Sequence, residues 1–589
     1  MPVYMLGIHD GHNASACLLA DGEIVFTVQE ERLVGEKNFT GFPAQSVKAC
    51  LRFAGVQPHE IRELAFSSHR NTPFRLRAGD QLHAFRREVT ATGIVRRLLW
   101  YPYYRFQPHM GRSQRLHCAQ AMGFQRRLYA DYDHHLCHAA TAYYGLREHR
   151  EEKYLVVTVD GYGDLDCSSI WINQNGRLER VARTPFTDSL GTIYALITGA
   201  MGFKPLEHEY KLMGMAPYAP ACQAQPLIES FRRLLAVDET GMRFRRRTVA
   251  PTFLYARRLR KLIAGERFDH VCAALQQFTE EMLVKLVSGA VQATGIHRVL
   301  CAGGVFMNVK ANKRLMEMPQ VELLKVFPSC GDETLSMGAA WLAHIATGGT
   351  GAAEQIAPIN GFYLGGDVEE EACQQVVQSC GHAVRRYEDV ESEVARILVS
   401  GKPVARCKGR MEFGARALGN RSILADPVNH DVVRVINQMV KKRDFWMPFA
   451  PVVSRERMQE YFLNDKDLDS PYMMLTFDTR DNFRDLIAAV HNADLTARPQ
   501  VIEANQNPDY YRLLKTFEEM TGRGVLLNTS FNLHGFPIVA GPKEAMEVFN
   551  SSGLEYLNIG QYIVQKRTAP TRPACRPSEA VMAGEGERS

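Results

Sequence analysis

The run Asp131-Tyr132-Asp133-His134-His135-Leu136-Cys137-His138 sets two imidazoles four residues apart, ahead of the small and aromatic stretch Ala139 to Tyr144. Alanines dominate that stretch and no Gly or Pro intervenes before Gly145, so it reads as a helix. Positions i and i+4 share a helix face, and His134 and His138 can therefore converge on one point as metal-ligating pairs do. The alternative is two ordinary polar histidines at a helix start. Neighbouring His135 is read as a core or supporting residue. What favours the metal is the company these histidines keep in the chain.

Strand Tyr4 to Ile8 ends in His9-Asp10-Gly11-His12-Asn13, and a hairpin follows, Ala14 to Ala20 and Glu23 to Gln29, closed by Asp21-Gly22. The same unit recurs. Strand Tyr154 to Val159 ends in Asp160-Gly161-Tyr162-Gly163-Asp164, and the hairpin Ser168 to Ile172 with Leu178 to Ala182 turns at Asn175-Gly176. A unit repeated roughly 150 residues apart predicts two similar α/β halves facing a cleft. Two more strands run into Gly-bearing loops: Val299 to Ala302 into Gly303-Gly304-Val305-Phe306-Met307-Asn308, and Glu322 to Val326 into Pro328-Ser329-Cys330-Gly331-Asp332-Glu333 before a helix from Thr334 to Ile345. Glycine between strand and helix lets backbone N–H groups approach phosphates, although each loop alone is also a simple turn. Together they fit the plan of actin-like, sugar-kinase-like ATPases, which hold a nucleotide between the halves.

Residues 1–346 are expected to form that unit and the Gly/Ala-rich 347–360 a linker. In the second unit, 361–567, helices are predicted at Val368 to Cys380 and Glu391 to Ser400, and a strand at Pro403 to Cys407. The basic, Gly-punctuated turn Lys408 to Ser422 comes next, then Lys441-Lys442-Arg443, Arg498-Pro499-Gln500, and strand Gly524 to Leu527 delivering Asn528-Thr529-Ser530. Arginines, a lysine and short polar groups in one pocket suit a small phosphate dianion; the alternative is surface charges that never converge. The Pro-, Ala- and Glu-rich tail 568–589 is expected to be disordered.

At 589 residues the chain exceeds a single core. No run of about 18 apolar residues is present to span a membrane. No secretion signal is evident, and thirteen scattered cysteines without a CxxC pair argue for reduced thiols in a cytoplasm. A net charge of +5 does not by itself imply nucleic acid. Arginines nevertheless crowd Arg70 to Arg127, and also Arg243, Arg245, Arg246, Arg247, Arg257, Arg258, Arg260 and Lys261. They could receive a phosphate-bearing substrate, a carrier protein or RNA, or simply form solvated faces.

The motifs HDGHNASACLL, QEER with Lys37, HHLCHAATAYY, VDGYGD, KLMGMAPY, AGGVFMN, GDETLSMGAA, EFGARALGNRSIL, KKRDFWMPFAP, ARPQ and LNTSFN run in order from residue 9 to residue 532. In these the chain closely resembles the O-carbamoyltransferase family of nodulation proteins and antibiotic-tailoring enzymes. The resemblance implies an N-terminal actin-like domain similar to tRNA-threonylcarbamoyl-transfer enzymes and a C-terminal YrdC-like domain. It further implies that the second domain turns carbamoyl phosphate and ATP into carbamoyl adenylate, and that the first gives the carbamoyl group to a substrate hydroxyl.

Carried over residue by residue, His134, His138, Asp160 and Asp332 match an iron-type site, for Fe(II) or a similar divalent metal, with Mg also considered. Nitrogen and oxygen donors suit such a cation, and the missing thiolates argue against structural zinc. His12 matches the histidine facing the acceptor hydroxyl, with His9 competing for the role. Lys37 and Lys211 match phosphate-neutralising positions or are solvated lysines, and Gly303, Gly304 and Asn308 match nucleotide contacts. Arg416, Arg421, Lys441, Arg498, Asn528 and Ser530 match the pocket for carbamoyl phosphate and ATP. One departure is Met447, where the family commonly has Arg before Pro-Phe-Ala-Pro, so that a cation is absent or supplied by a neighbour such as Arg443. The variable regions Ser68 to Arg127 and Ala219 to Glu266 point to an anionic or carrier-bound acceptor. Threonylcarbamoyl transfer to tRNA and a non-catalytic nucleotide-binding scaffold are the competing readings. Neither a membrane nor nucleic acid is an expected partner, and a homodimer is the guess for assembly.

Overall fold

The computed structural model describes residues 2–70, 111–349, 351–441 and 444–567. The first sheet has five strands: β1 (Tyr4–His9), β2 (Ser15–Ala20), β3 (Glu23–Gln29), β4 (Ile61–Phe66) and β5 (Tyr129–Asp131), in the order β3-β2-β1-β4-β5. β1, β2 and β3 are antiparallel, whereas β4 and β5 run parallel to β1. The second sheet repeats this plan. β6 (Leu155–Gly163), β7 (Asp166–Gln174) and β8 (Arg177–Pro185) form the antiparallel part. After a small hairpin of β9 (Leu235–Val237) and β10 (Phe244–Arg246), β11 (Arg298–Ala302) and β12 (Leu323–Val326) add in parallel, giving β8-β7-β6-β11-β12. The duplication expected of an actin-like unit is thus present strand for strand.

Turn chemistry explains both hairpins. Asp21 and Gly22 take φ of 50° and 92°, and Asn175 and Gly176 take 50° and 74°. Positive φ at both central residues is the turn geometry that follows strand twist, and Asx-Gly adopts it at low cost. On β6, Leu155, Val156, Val157 and Val159 are fully buried. Each such side chain contributes about 1.5–3 kcal/mol on leaving water.

Two helices exchange partners between the sheets. The helix His134–Leu146 follows β5 of the first half but packs on β6 and β11 of the second. The helix Leu335–Gly348 follows β12 of the second half but packs on β1 and β4 of the first. Glycines permit the contact: a Cβ on Gly338 would lie 2.1 Å from the Cys137 carbonyl oxygen, and one on Gly7 would lie 1.9 Å from that of Ser336.

Within the expected linker, Ala352, Ala353 and Ile356 are buried, whereas residues 354, 355, 357, 358 and 360 are exposed. A short helix, Ala352–Gln355, lies there, and Arg147 donates to the carbonyls of Ala353 and Ile356 at 2.9 and 2.8 Å. The second unit is built on an eight-stranded mixed sheet. Its strands are β13 (Ala383–Arg386), β14 (Val404–Cys407), β15 (Arg421–Ala425), β16 (Ala450–Ser454), β19 (Gln500–Ile502), β20 (Val525–Ser530), β21 (Tyr556–Ile559) and β22 (Tyr562–Gln565). They are ordered β13-β22-β21-β14-β15-β20-β16-β19; β17 (Phe477–Asp478) and β18 (Thr496–Ala497) pair separately. Glu391 is fully buried behind this sheet and accepts from Arg406, Lys408 and Arg512 at 3.1, 2.5 and 2.7 Å. Burial would raise its carboxyl, but these cations hold it at about 2.

No helix among the described residues is long and apolar enough to cross a membrane, and the described cysteines are all free thiols. The tail 568–589, Arg443 and residues 71–110 of the first arginine-rich stretch lie outside the described residues.

Candidate active site and metal centre

Four side chains meet at the open ends of the two duplicated sheets. His134 and His138 stand on the first turns of their helix, which Asp133 caps by accepting the Leu136 N–H at 2.9 Å. Asp160 lies near the end of β6, and Asp332 on the loop between β12 and the helix Leu335–Gly348. Asp160 Oδ2 is 3.3 Å from His134 Nε2 and 3.4 Å from His138 Nε2; Asp332 Oδ1 is 3.6 and 3.5 Å from the same nitrogens. The four ligand atoms lie within 4.8 Å of one another. Two imidazoles and two carboxylates, without a thiolate, form a donor set for a divalent transition metal.

The electrostatics of the cluster fit a cation. Burial would raise the Asp160 carboxyl, but hydrogen bonds from both histidines hold it well below the usual range. Burial and the charge of Asp160 push Asp332 well above it. A divalent ion would relieve the repulsion between these carboxylates. His135 stands apart, its Nδ1 on the Thr158 hydroxyl at 2.9 Å. Asp164 braces the loop by accepting the His134 and Arg70 N–H groups at 2.9 and 2.7 Å and the Ser68 hydroxyl at 2.9 Å.

The ring contacts separate His9 from His12. His9 is buried, with Nδ1 2.9 Å from the Ser67 hydroxyl and Nε2 2.9 Å from the His12 carbonyl, so both nitrogens are engaged. His12 lines the central cavity, and its Nε2 is 3.3 Å from the Leu206 carbonyl. A carbonyl only accepts, so Nε2 carries the proton and Nδ1 keeps the lone pair. Burial moves the His12 imidazole below its ordinary value, which keeps it neutral near pH 7.

The cavity has a volume of about 610 Å³ and is walled by both units. From the first come His12, Lys37, His134, Asp160, Lys211, Gly304, Asn308 and Asp332; from the second come Arg416, Met447, Arg498 and Ser530. Lys37 donates to Glu207 at 2.9 Å, and Lys211 reaches Asp444 of the second unit at 3.0 Å. Burial would raise Glu207, but Lys204 and Lys37 hold it at about 2. Asn308 caps the helix Val309–Met316 and pairs with Gln276.

Several sequence-selected residues stand behind this wall. Gly303 has φ of 102°, and a Cβ there would lie 2.3 Å from the Val159 carbonyl oxygen, so its role is close backbone approach. Arg421 is buried, with Nε on the Ala540 carbonyl at 3.0 Å and Nη1 on those of Lys408, Gly409 and Asn420 at 3.0–3.3 Å, while Nη2 is buried without a hydrogen-bond partner. Asn528 is likewise buried, donating to the Ala417 carbonyl and Gln500 at 2.9 and 3.0 Å. Lys441 ends the helical turn Asn437–Lys441, and its side chain lies outside the described atoms.

Sequence reasoning missed Glu31 and Glu333, carboxylates in the cavity wall; burial pushes Glu333 up to about 7. Their signal was available in the QEER and GDE motifs. It also read Arg115 as part of a charged stretch. Arg115 is buried against Asp10, with Nε and Nη2 at 2.9 and 2.7 Å. Arg243, Arg245, Arg247, Arg257, Arg258 and Lys261 are exposed.

The described family "Carbamoyltransferase N-terminus" matches residues 4–341, and "Carbamoyltransferase C-terminus" matches residues 395–566. This chain belongs to the carbamoyltransferase family. Nodulation protein NolNO of Sinorhizobium fredii is 31% identical to this carbamoyltransferase over 95% of the chain and 79% of that protein. An uncharacterized protein of Synechocystis sp. is 30% identical over 95% of the chain and 96% of its own length. An uncharacterized protein of Methanocaldococcus jannaschii is 29% identical over 95% and 99%. The enzyme is thus a transferase whose paired family regions each contribute to the wall of one cavity.

Proposed function

We propose that this carbamoyltransferase is an ATP-dependent O-carbamoyltransferase working through carbamoyl adenylate. The observation that carries the proposal is the single cavity that joins His12 and the His/Asp cluster to Arg416, Arg498 and Ser530. In the second unit, carbamoyl phosphate loses phosphate to water, giving carbamate. A carbamate oxygen then attacks the α-phosphorus of ATP, forming carbamoyl adenylate and releasing pyrophosphate. Arg416 and Arg498 hold the anionic groups, for which guanidinium geometry is suited.

In the first unit, the acceptor hydroxyl attacks the carbamoyl carbon, and the C–O bond to AMP breaks. His12 Nδ1 takes the hydroxyl proton, as a neutral imidazole can at pH 7. Lys37 and Lys211 offset the charge on departing AMP. His134, His138, Asp160 and Asp332 would hold a divalent metal, Fe(II) or similar, which supplies Lewis-acid stabilisation of charge on phosphate and carbamoyl oxygens. The acceptor is a hydroxyl of a small natural product or saccharide.

The test needs no acceptor: incubate the protein with carbamoyl phosphate, ATP and a divalent metal and follow the nucleotide products. Pyrophosphate release that requires carbamoyl phosphate supports the proposal. ADP in place of pyrophosphate refutes it.

A further inference from the structure

Three side chains of the first unit grip consecutive backbone groups of the second. The Gly414 N–H donates to Gln29 Oε1 at 3.1 Å, and its carbonyl accepts from Arg32 at 2.6 Å. The next N–H, of Ala415, donates to Ser329 Oγ at 2.8 Å. Ser329 in turn donates to the Glu333 carboxylate, so one hydroxyl bridges the Asp332 loop and the Gly414 loop. Gln29, Arg32, Ser329 and Glu333 are all buried. The fit is tight on both sides: Ser329 holds φ of 54°, Gly414 holds 95°, and a Cβ on Gly414 would lie 2.4 Å from the Ser329 Cβ.

Docking of the two units does not depend on these contacts. The units share an apolar core, in which Phe327, Phe362 and Phe413 form a chain of rings 5.6 and 6.1 Å apart. The polar clamp adds orientation. It holds the N–H and carbonyl of Gly414 and the N–H of Ala415, the two residues preceding Arg416, which lines the cavity.

We infer that Gln29, Arg32 and Ser329 are positioning residues that aim Arg416, so that the phosphate pocket of the second unit is completed by the first. The inference rests on the reading above of Arg416 as a carbamoyl phosphate ligand. It makes the adenylating half-site dependent on the docked partner unit, and it ties Arg416 mechanically to the loop that carries Asp332.

The test uses the full-length chain and carbamoyl phosphate as titrant in calorimetry, alongside the KM for carbamoyl phosphate in pyrophosphate release. Ser329→Ala and Gln29→Leu should each weaken binding and raise KM by about ten-fold, the loss of one hydrogen bond to an oriented loop, with kcat changed far less. Folded variants that bind carbamoyl phosphate as tightly as wild type, while Arg416→Ala does not, overturn this inference alone. A wild-type protein that fails to bind carbamoyl phosphate overturns both it and the reading of the second unit.

Discussion

His134 Nε2 and Asp160 Oδ2 stand 3.3 Å apart, although one belongs to the helix that follows the first sheet and the other to the central strand of the second. The exchange of helices between the halves brings them together. The cluster is therefore a property of the duplicated fold, and disturbing that exchange should disturb the proposed metal site.

Replacing His138 by alanine removes one of four donors. We expect at least about a ten-fold loss of bound divalent metal, measured by elemental analysis after dialysis, with a parallel fall in transfer from supplied carbamoyl adenylate. Unchanged metal content in His134→Ala and His138→Ala would break the assignment.

Gly338→Ala tests the same relationship from a distance. Its methyl would meet the Cys137 carbonyl at 2.1 Å, one residue before His138. The helices must separate, so stability should fall by about 1–3 kcal/mol in denaturant titration. Metal affinity should weaken although no donor is altered.

His12 gives a pH signature. Burial disfavours its imidazolium, so protonation requires a pH below the ordinary 6.5. The neutral base is then present at pH 7 and lost only on acidification. Transfer from supplied carbamoyl adenylate should be level above about pH 6.5 and decline below it. His12→Ala should lower the plateau by about 10²–10⁴-fold.

Glu391 tests the second unit's frame. Glu391→Gln leaves Arg406 buried without its countercharge and Lys408 with Asp509 alone, and should cost about 3–5 kcal/mol. The sign of its pH dependence follows from a carboxyl held at about 2, below its unfolded value. Its stabilisation is full above the unfolded value and lost as pH falls towards 2, so the wild-type advantage should shrink over that range.

Much of this was legible in the sequence because it is local. Asx-Gly turns announced the two hairpins, and the i, i+4 histidines announced a shared helix face. Strand-then-loop carboxylates placed Asp160 and Asp332 at sheet ends. What the sequence hid depends on tertiary partners. Arg421 reads as a pocket cation, and only the fold shows its Nε and Nη1 on backbone carbonyls. Arg115 looks like surface charge until Asp10 closes on it. The Ser329–Ala415 contact joins residues 86 positions apart and has no local pattern to betray it.

The central claim is that one chain divides carbamoyl transfer between two half-sites on a shared cavity. Arg498→Ala and His134→Ala should be compared in two assays, carbamoyl phosphate-dependent pyrophosphate release and consumption of supplied carbamoyl adenylate. The account predicts opposite outcomes: Arg498→Ala loses the first and keeps the second, and His134→Ala keeps the first and loses the second. Equal loss of both activities in both variants would contradict the division.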